Sequence, residues 1–273
     1  TQKPSSAASD VYKRQDKVGY PGLTMDIVYS YTDMYTLKYQ RVTPFMFFSS
    51  MNMDLFNTDI DHLMDNVVLR GNSGNGVMAW PTASDTYGGR LIGTIGSDIR
   101  AGIDYEHNRK DAEQYMVMSG SNTFLTYLWP GVETEKLGIF FEKDLGNISY
   151  GLRYDQVELD PTKAADDAGG MMFKTANEVY TTDYDGTIVA TKREYDNISG
   201  FLRLKKDIDH GETYINLSVN ERAPDTTELF HAKWNASSAM MRHVGNPNLS
   251  SERHMTIEVG YEGMLMGNHI TGS

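Results

Sequence analysis

Apolar and polar residues alternate with a period of two along most of this chain, the pattern of β-strands with one oily and one wet face. Ile99, Ala101, Ile103 and Tyr105 alternate with Arg100, Gly102, Asp104 and Glu106. Ile148, Tyr150, Leu152 and Tyr154 oppose Ser149, Gly151, Arg153 and Asp155, and Thr213, Ile215, Leu217 and Val219 oppose Glu212, Tyr214, Asn216 and Ser218. Met255, Ile257, Val259 and Tyr261 repeat the pattern towards the end. Following each run to its nearest turn signal predicts about nine strands, at residues 34–41, 46–70, 87–96, 98–108, 135–144, 147–158, 197–207, 212–220 and 254–262.

The connections carry as much information as the strands. Short turns fall at Val42-Thr43-Pro44, Gly96-Ser97, Leu145-Gly146 and near His210-Gly211. Long loops lie between them, at residues 71–85, 109–134, 160–193 and 221–251, and hold Trp80, Trp129 and Trp234. Short turns at one end and long loops at the other are the plan of an outer-membrane barrel. The wet faces carry Arg, Asp, Glu and Asn, which suits a hydrated or plugged lumen better than a dry core. The predicted class is therefore all-β, with antiparallel up-and-down strands forming part of a transmembrane β-barrel. A secreted β-sandwich or adhesin that binds glycans through Trp and Tyr loops is the rival. It requires the oily faces to pack on each other.

Composition narrows the function. The net charge is −12 with no cluster of Lys and Arg, which argues against nucleic acid, because phosphate binding gathers those residues on one face. Cysteine is absent, so any metal held within the chain must use His, Met or carboxylates. No apolar run nears the roughly 20 residues of a transmembrane helix. No Ser/His/Asp constellation, P-loop or HExxH motif appears, and no enzyme is expected.

The candidate chemistry lies on the longest predicted strand. Phe47, Met51, Met53 and Leu55 share its oily face, while Asn52, Asp54, Thr58, His62 and Met64 share the wet one. His62 and Met64 are two residues apart, roughly 6.5–7 Å of rise, so an imidazole and a thioether face the same polar space. Thioether sulfur suits Cu(I) and imidazole suits copper among other transition metals, which makes the pair half of a copper site. Met116, Met118, Met171, Met172, Met240, Met241 and His243 fall in predicted loops, where Met has no core to fill. They are candidates for weak soft sites, the alternative being loops that pack together with Met as filler.

Two linked runs carry a family resemblance. Arg222-Ala223-Pro224 with Glu228-Leu229, followed by Gly245-Asn246-Pro247, Leu249 and Glu252, resembles the late-barrel signature of TonB-dependent outer-membrane receptors. Residues 19–26, 61–70 and 84–90, which include Asp61-His62-Leu63-Met64-Asp65-Asn66, resemble the copper-receptor subfamily more narrowly. The resemblance implies a barrel of about 22 strands, of which about nine are present, with the plug domain absent from this chain. It also implies import of copper across the outer membrane of a Gram-negative bacterium, further ligands from the plug, and coupling to the TonB complex through the plug and TonB box. Lipid would contact the outer face. A ferric-siderophore receptor is the alternative within the family. Residues 1–15 resemble a translated sequencing-adapter string and are expected to lie outside the fold, leaving 16–273 as the partial barrel.

Overall fold

The computed structural model describes residues 5–20, 24–71, 77–118, 121–169, 173–184, 186, 189–234, 242–265 and 268–272. Eleven strands form one antiparallel sheet: β1 (Ser5–Val18), β2 (Asp26–Arg41), β3 (Ser50–Asp65), β4 (Met78–Ile95), β5 (Ile99–Met118), β6 (Ser121–Asp144), β7 (Ile148–Pro161), β8 (Arg193–Ile208), β9 (Gly211–Arg222), β12 (Glu252–Leu265) and β13 (Asn268–Gly272). Each pairs with the next along the chain, apart from the β9–β12 connection. That connection holds a short helix, α2 (Thr226–Phe230), and a separate two-stranded ribbon, β10 (Ala232–Lys233) with β11 (His243–Val244). Another helix, α1 (Ala176–Asp183), lies between β7 and β8. β1 and β13 do not pair with each other, so the sheet is open. Gly96 and Gly146 adopt φ of 62° and 81° in two of the tight turns, conformations that glycine reaches without strain.

The register carries the alternation across the sheet. Leu91 pairs with Ile103, Ile103 with Ile139, Ile139 with Tyr154 and Tyr154 with Ile198, making one apolar row over five strands. The row is exposed, with Ile103 at 44%, Ile139 at 50% and Ile198 at 61%. Phe47, Leu55, Leu137, Leu152 and Leu217 are exposed too. Among the described residues no second sheet covers this face, which removes the sandwich reading. The opposite face is concave: Ser84 of β4, Asn108 of β5, Asn197 of β8 and Glu221 of β9 line one cavity.

A small core sits inside that concavity. Val132 of β6 and Val157 and Leu159 of β7 supply the wall, while Val179 and Tyr180 of α1 and Leu229 and Phe230 of α2 supply the lid. Each helix starts with a capping box, Thr175 with Glu178 and Asp225 with Glu228, which satisfies the first backbone N–H groups. The buried Tyr180 hydroxyl donates to the Phe230 carbonyl at 2.7 Å and ties one loop to the other.

The structure differs from the sequence expectations in several places, beginning with eleven strands in the sheet where about nine were expected, because β1 and β13 are added at its ends. Ser5–Val18 is an edge strand paired with β2, although its described side chains from Val11 to Lys17 are all exposed. The free N–H and C=O groups along the edge of β2 account for the pairing, supplemented by Tyr31 donating to Asp16 at 3.1 Å. The predicted 46–70 strand is shorter: Met46 and Phe47 lie in the turn before β3, and Asp65 ends the strand by accepting from the N–H groups of Val67 and Val68. The predicted loop at 109–134 is largely a continuation of β5 and β6, broken by register shifts at Lys110/Ala112, Ala112/Glu113 and Gln114/Tyr115. Trp129 therefore lies on β6 rather than in a loop, and Trp80 lies on β4, which begins at Met78 instead of Tyr87.

Candidate functional site

Alternation along β3 brings His62 and Met64 onto the concave face. His62 sits between Ser30 of β2 and Thr82 of β4, and Met64 between Ile27 and Trp80. Both are half-buried. Opposite Met64 the register of β2 slips between Ile27 and Tyr29, a bulge of the kind that re-aims side chains at barrel rims. The end of the strand is held from outside the sheet. Arg70 grips Asp26 through two hydrogen bonds of 2.7 and 2.8 Å and also donates to the Tyr20 carbonyl at 3.0 Å. Two of the three stretches that carry the narrower resemblance, 19–26 and 61–70, thus meet at one ion pair beside the His-Met pair.

The lid touches the same region. Lys233 of β10 lies with its ammonium 4.8 Å from the centre of the Trp80 ring, and Trp80 is the direct partner of Met64. Burial pushes the Lys233 amine below its ordinary value. Next to it, His231 Nδ1 is 2.7 Å from the His243 carbonyl. A carbonyl only accepts, so Nδ1 carries the proton and Nε2 the lone pair. Burial lowers the His231 value and favours this neutral ring. His231, Trp80 and Lys233 were not singled out by sequence. Trp80 is recognisable only once β4 is seen to begin at Met78, which fixes its register against Met64.

The loop candidates divide. Met116 lies on β5 opposite Met78, on a strand rather than in a loop. Met118 ends that strand, and its side chain is outside the described residues. Met171, Met172, Met240 and Met241 are also outside them. His243 is exposed on β11, its ring 6.2 Å from that of His231. Among the described residues no three His, Asp or Glu side chains gather as a metal-binding group.

The two late runs are joined by one arginine. Arg222 donates to both oxygens of Glu228 at 2.9 Å and to Glu252 at 2.9 Å, linking the end of β9, the start of α2 and the start of β12. The Gly245 N–H donates to the His231 carbonyl at 2.7 Å, and the Asn246 N–H to that of Glu228 at 2.8 Å. A Cβ on Gly245 would lie 2.6 Å from the Leu229 carbonyl carbon, so only glycine allows this approach. The motif residues therefore build a clamp at the rim. The family description "TonB dependent receptor-like, beta-barrel" matches residues 5–273. The chain belongs to the TonB-dependent receptor β-barrel family. A solved structure described as "Copper transporter OprC" shares the fold, with a TM-score of 0.66 and 19% sequence identity over 89% of this chain and 38% of that one. The chain thus spans well under half the length of that protein. It is among 32 matching solved chains. No curated protein sequence matches.

Below the clamp the concave face of the sheet forms a half-open cavity of about 560 Å³. Its wall is mostly polar and partly paired, with the buried Thr134 Oγ1 and Asn197 Oδ1 lacking a hydrogen-bond partner among the described residues. The Asn108 amide donates to Thr86 at 2.6 Å and to Ser84 at 3.1 Å, and Arg153 grips Asp104 through two bonds of 2.8 and 2.9 Å. Ser84 is the next inward residue after Thr82 on β4, so the cavity begins just below the His-Met pair.

Proposed function

We propose that this chain is part of the barrel of an outer-membrane, TonB-dependent importer of copper, with His62 and Met64 as the wall's share of the cargo site. One observation carries the reading: a thioether and an imidazole, both suited to copper, share the inward face at the rim of a receptor barrel. The likeness to a copper transporter supports it at the level of fold. The remaining ligands would come from a plug, and energy from the TonB complex acting on that plug. The chain's own task is binding and passage, not catalysis.

The test is Cu(I) titration of the complete receptor in detergent, comparing wild type with Met64→Leu and His62→Phe. Met64→Leu keeps volume and apolar character, so folding should change by under about 1.5 kcal/mol. Copper affinity should fall at least about tenfold in either variant, or about 1.4 kcal/mol. Unchanged affinity in both would leave the pair as lumen lining. A ferric-siderophore receptor is the second reading, favoured by the aromatic and cationic groups at the lid, Trp234 among them, with the Arg242 guanidinium 3.7 Å from its ring centre. Uptake of copper that a ferric chelate outcompetes would favour this second reading.

A further inference from the structure

We propose that Trp80 is a third member of the soft-cation site begun by His62 and Met64, and that the Lys233 ammonium occupies its ring face until cargo displaces it. The inference rests on the copper reading above. Met64 and Trp80 are direct cross-strand partners on the inward face, which sets their Cβ atoms roughly 4.5–5.5 Å apart, and His62 is one pair further along. A cation lodged at a thioether in this position therefore meets the indole. The ring already attracts a cation, since the Lys233 Nζ lies 4.8 Å from its centre, inside the roughly 6 Å range of such contacts. Indole is the strongest aromatic partner for a cation. Its own N–H is buried without a hydrogen-bond partner among the described residues, so the face is what this side chain offers.

The origin of Lys233 gives the arrangement its direction. The wall supplies His62, Met64 and Trp80, whereas Lys233 comes from the lid ribbon, paired with His243 of β11. Cargo arriving from the loop side reaches the His-Met pair where lid and wall touch. Binding is then an exchange of one cation for another on the same ring, with no covalent step. Two substitutions should consequently act in opposite directions. Removing the ring removes a contact to cargo, while removing the ammonium removes a competitor.

The experiment uses Ag(I), a soft monovalent ion without redox chemistry under these conditions, titrated calorimetrically into the complete receptor in detergent, with circular dichroism as the folding control. Trp80→Leu keeps apolar bulk and should weaken Ag(I) binding about tenfold. Trp80→Phe keeps a weaker ring and should fall between Leu and wild type. Lys233→Gln should tighten binding by about threefold or more. A merely structural role for Trp80 predicts neither the Phe/Leu grading nor the opposite sign at Lys233. If Met64→Leu weakens Ag(I) binding while the Trp80 and Lys233 variants bind as wild type does, this inference is overturned and the copper reading stands. If none of the variants changes Ag(I) binding, both fail.

Discussion

At the scale of single residues, the clamp around Arg222 shows how a family motif can be legible while its task is not. The Arg-Ala-Pro and Gly-Asn-Pro runs identify the barrel from sequence alone. Only the structure shows that Arg222 joins Glu228 to Glu252 and that Gly245 packs against the Leu229 backbone. The Arg222 guanidinium, and after it the Asp225 N–H, hold the Glu228 carboxyl below its ordinary value. Such a carboxylate stabilises the folded state at pH above its unfolded value, and that contribution is lost as pH falls through the lowered folded value. Glu228 is 39% exposed, so solvent screens the pair and its worth is up to about 1 kcal/mol. Glu228→Gln should therefore melt below wild type at pH 7, and the gap should close below about pH 4. Melting midpoints of the complete receptor across that range test it. A gap that stays constant with pH would mean the carboxylate charge is not what the clamp uses. His62 and Met64 were readable because two-residue parity is local. Trp80 and Lys233 were not, because their approach depends on where β4 begins and how the lid folds.

At the scale of elements, the sequence pattern identified strands where apolar and polar residues alternate without interruption and missed them where that alternation breaks. The upper ends of β5 and β6 carry Arg109-Lys110-Asp111 and Glu133-Thr134, which read as loop because charged runs and the register shifts between Lys110 and Tyr115 interrupt the alternation, even though Leu125, Leu128 and Val132 beyond them are buried. Their pairing rests on backbone hydrogen bonds, which leave no mark on composition. The lid was equally opaque, since the helices α1 and α2 are only eight and five residues long. Their stability comes from a shared core, not from helix propensity. Tyr180 is the element-level link, fully buried and bonded to a carbonyl on the other loop. Tyr180→Phe would retain the ring but orphan the Phe230 carbonyl, at a cost of about 1–3 kcal/mol. Because the bond joins the two loops, hydrogen exchange should rise in both α1 and α2, and far less in β7. Faster exchange confined to α1 would show that the loops open independently.

At the scale of the whole molecule, the apolar rows must face something other than water. A row of Leu, Ile and Tyr exposed across five neighbouring strands exceeds what a soluble surface normally carries. The inward face is largely polar, partly paired and partly filled by the lid. A barrel wall in a bilayer satisfies both facts, since lipid covers one face and a hydrated lumen the other. The two faces should then respond differently to the same kind of charge. Leu152 is outward and 63% exposed, within the apolar band between Tyr150 and Tyr154. Asn216 is inward, between Arg203 of β8 and Glu258 of β12. In the complete receptor folded into lipid vesicles, Leu152→Arg should cost about 2–4 kcal/mol, the penalty for a guanidinium towards the middle of the lipid-facing band. Asn216→Lys should stay within about 0.5 kcal/mol, because its ammonium remains hydrated and the Glu258 carboxylate on one side offsets the Arg203 guanidinium on the other. Guanidinium titration of both variants measures the difference. Equal costs would mean that lipid does not cover the outward rows, and would undo the assignment of this face to the membrane.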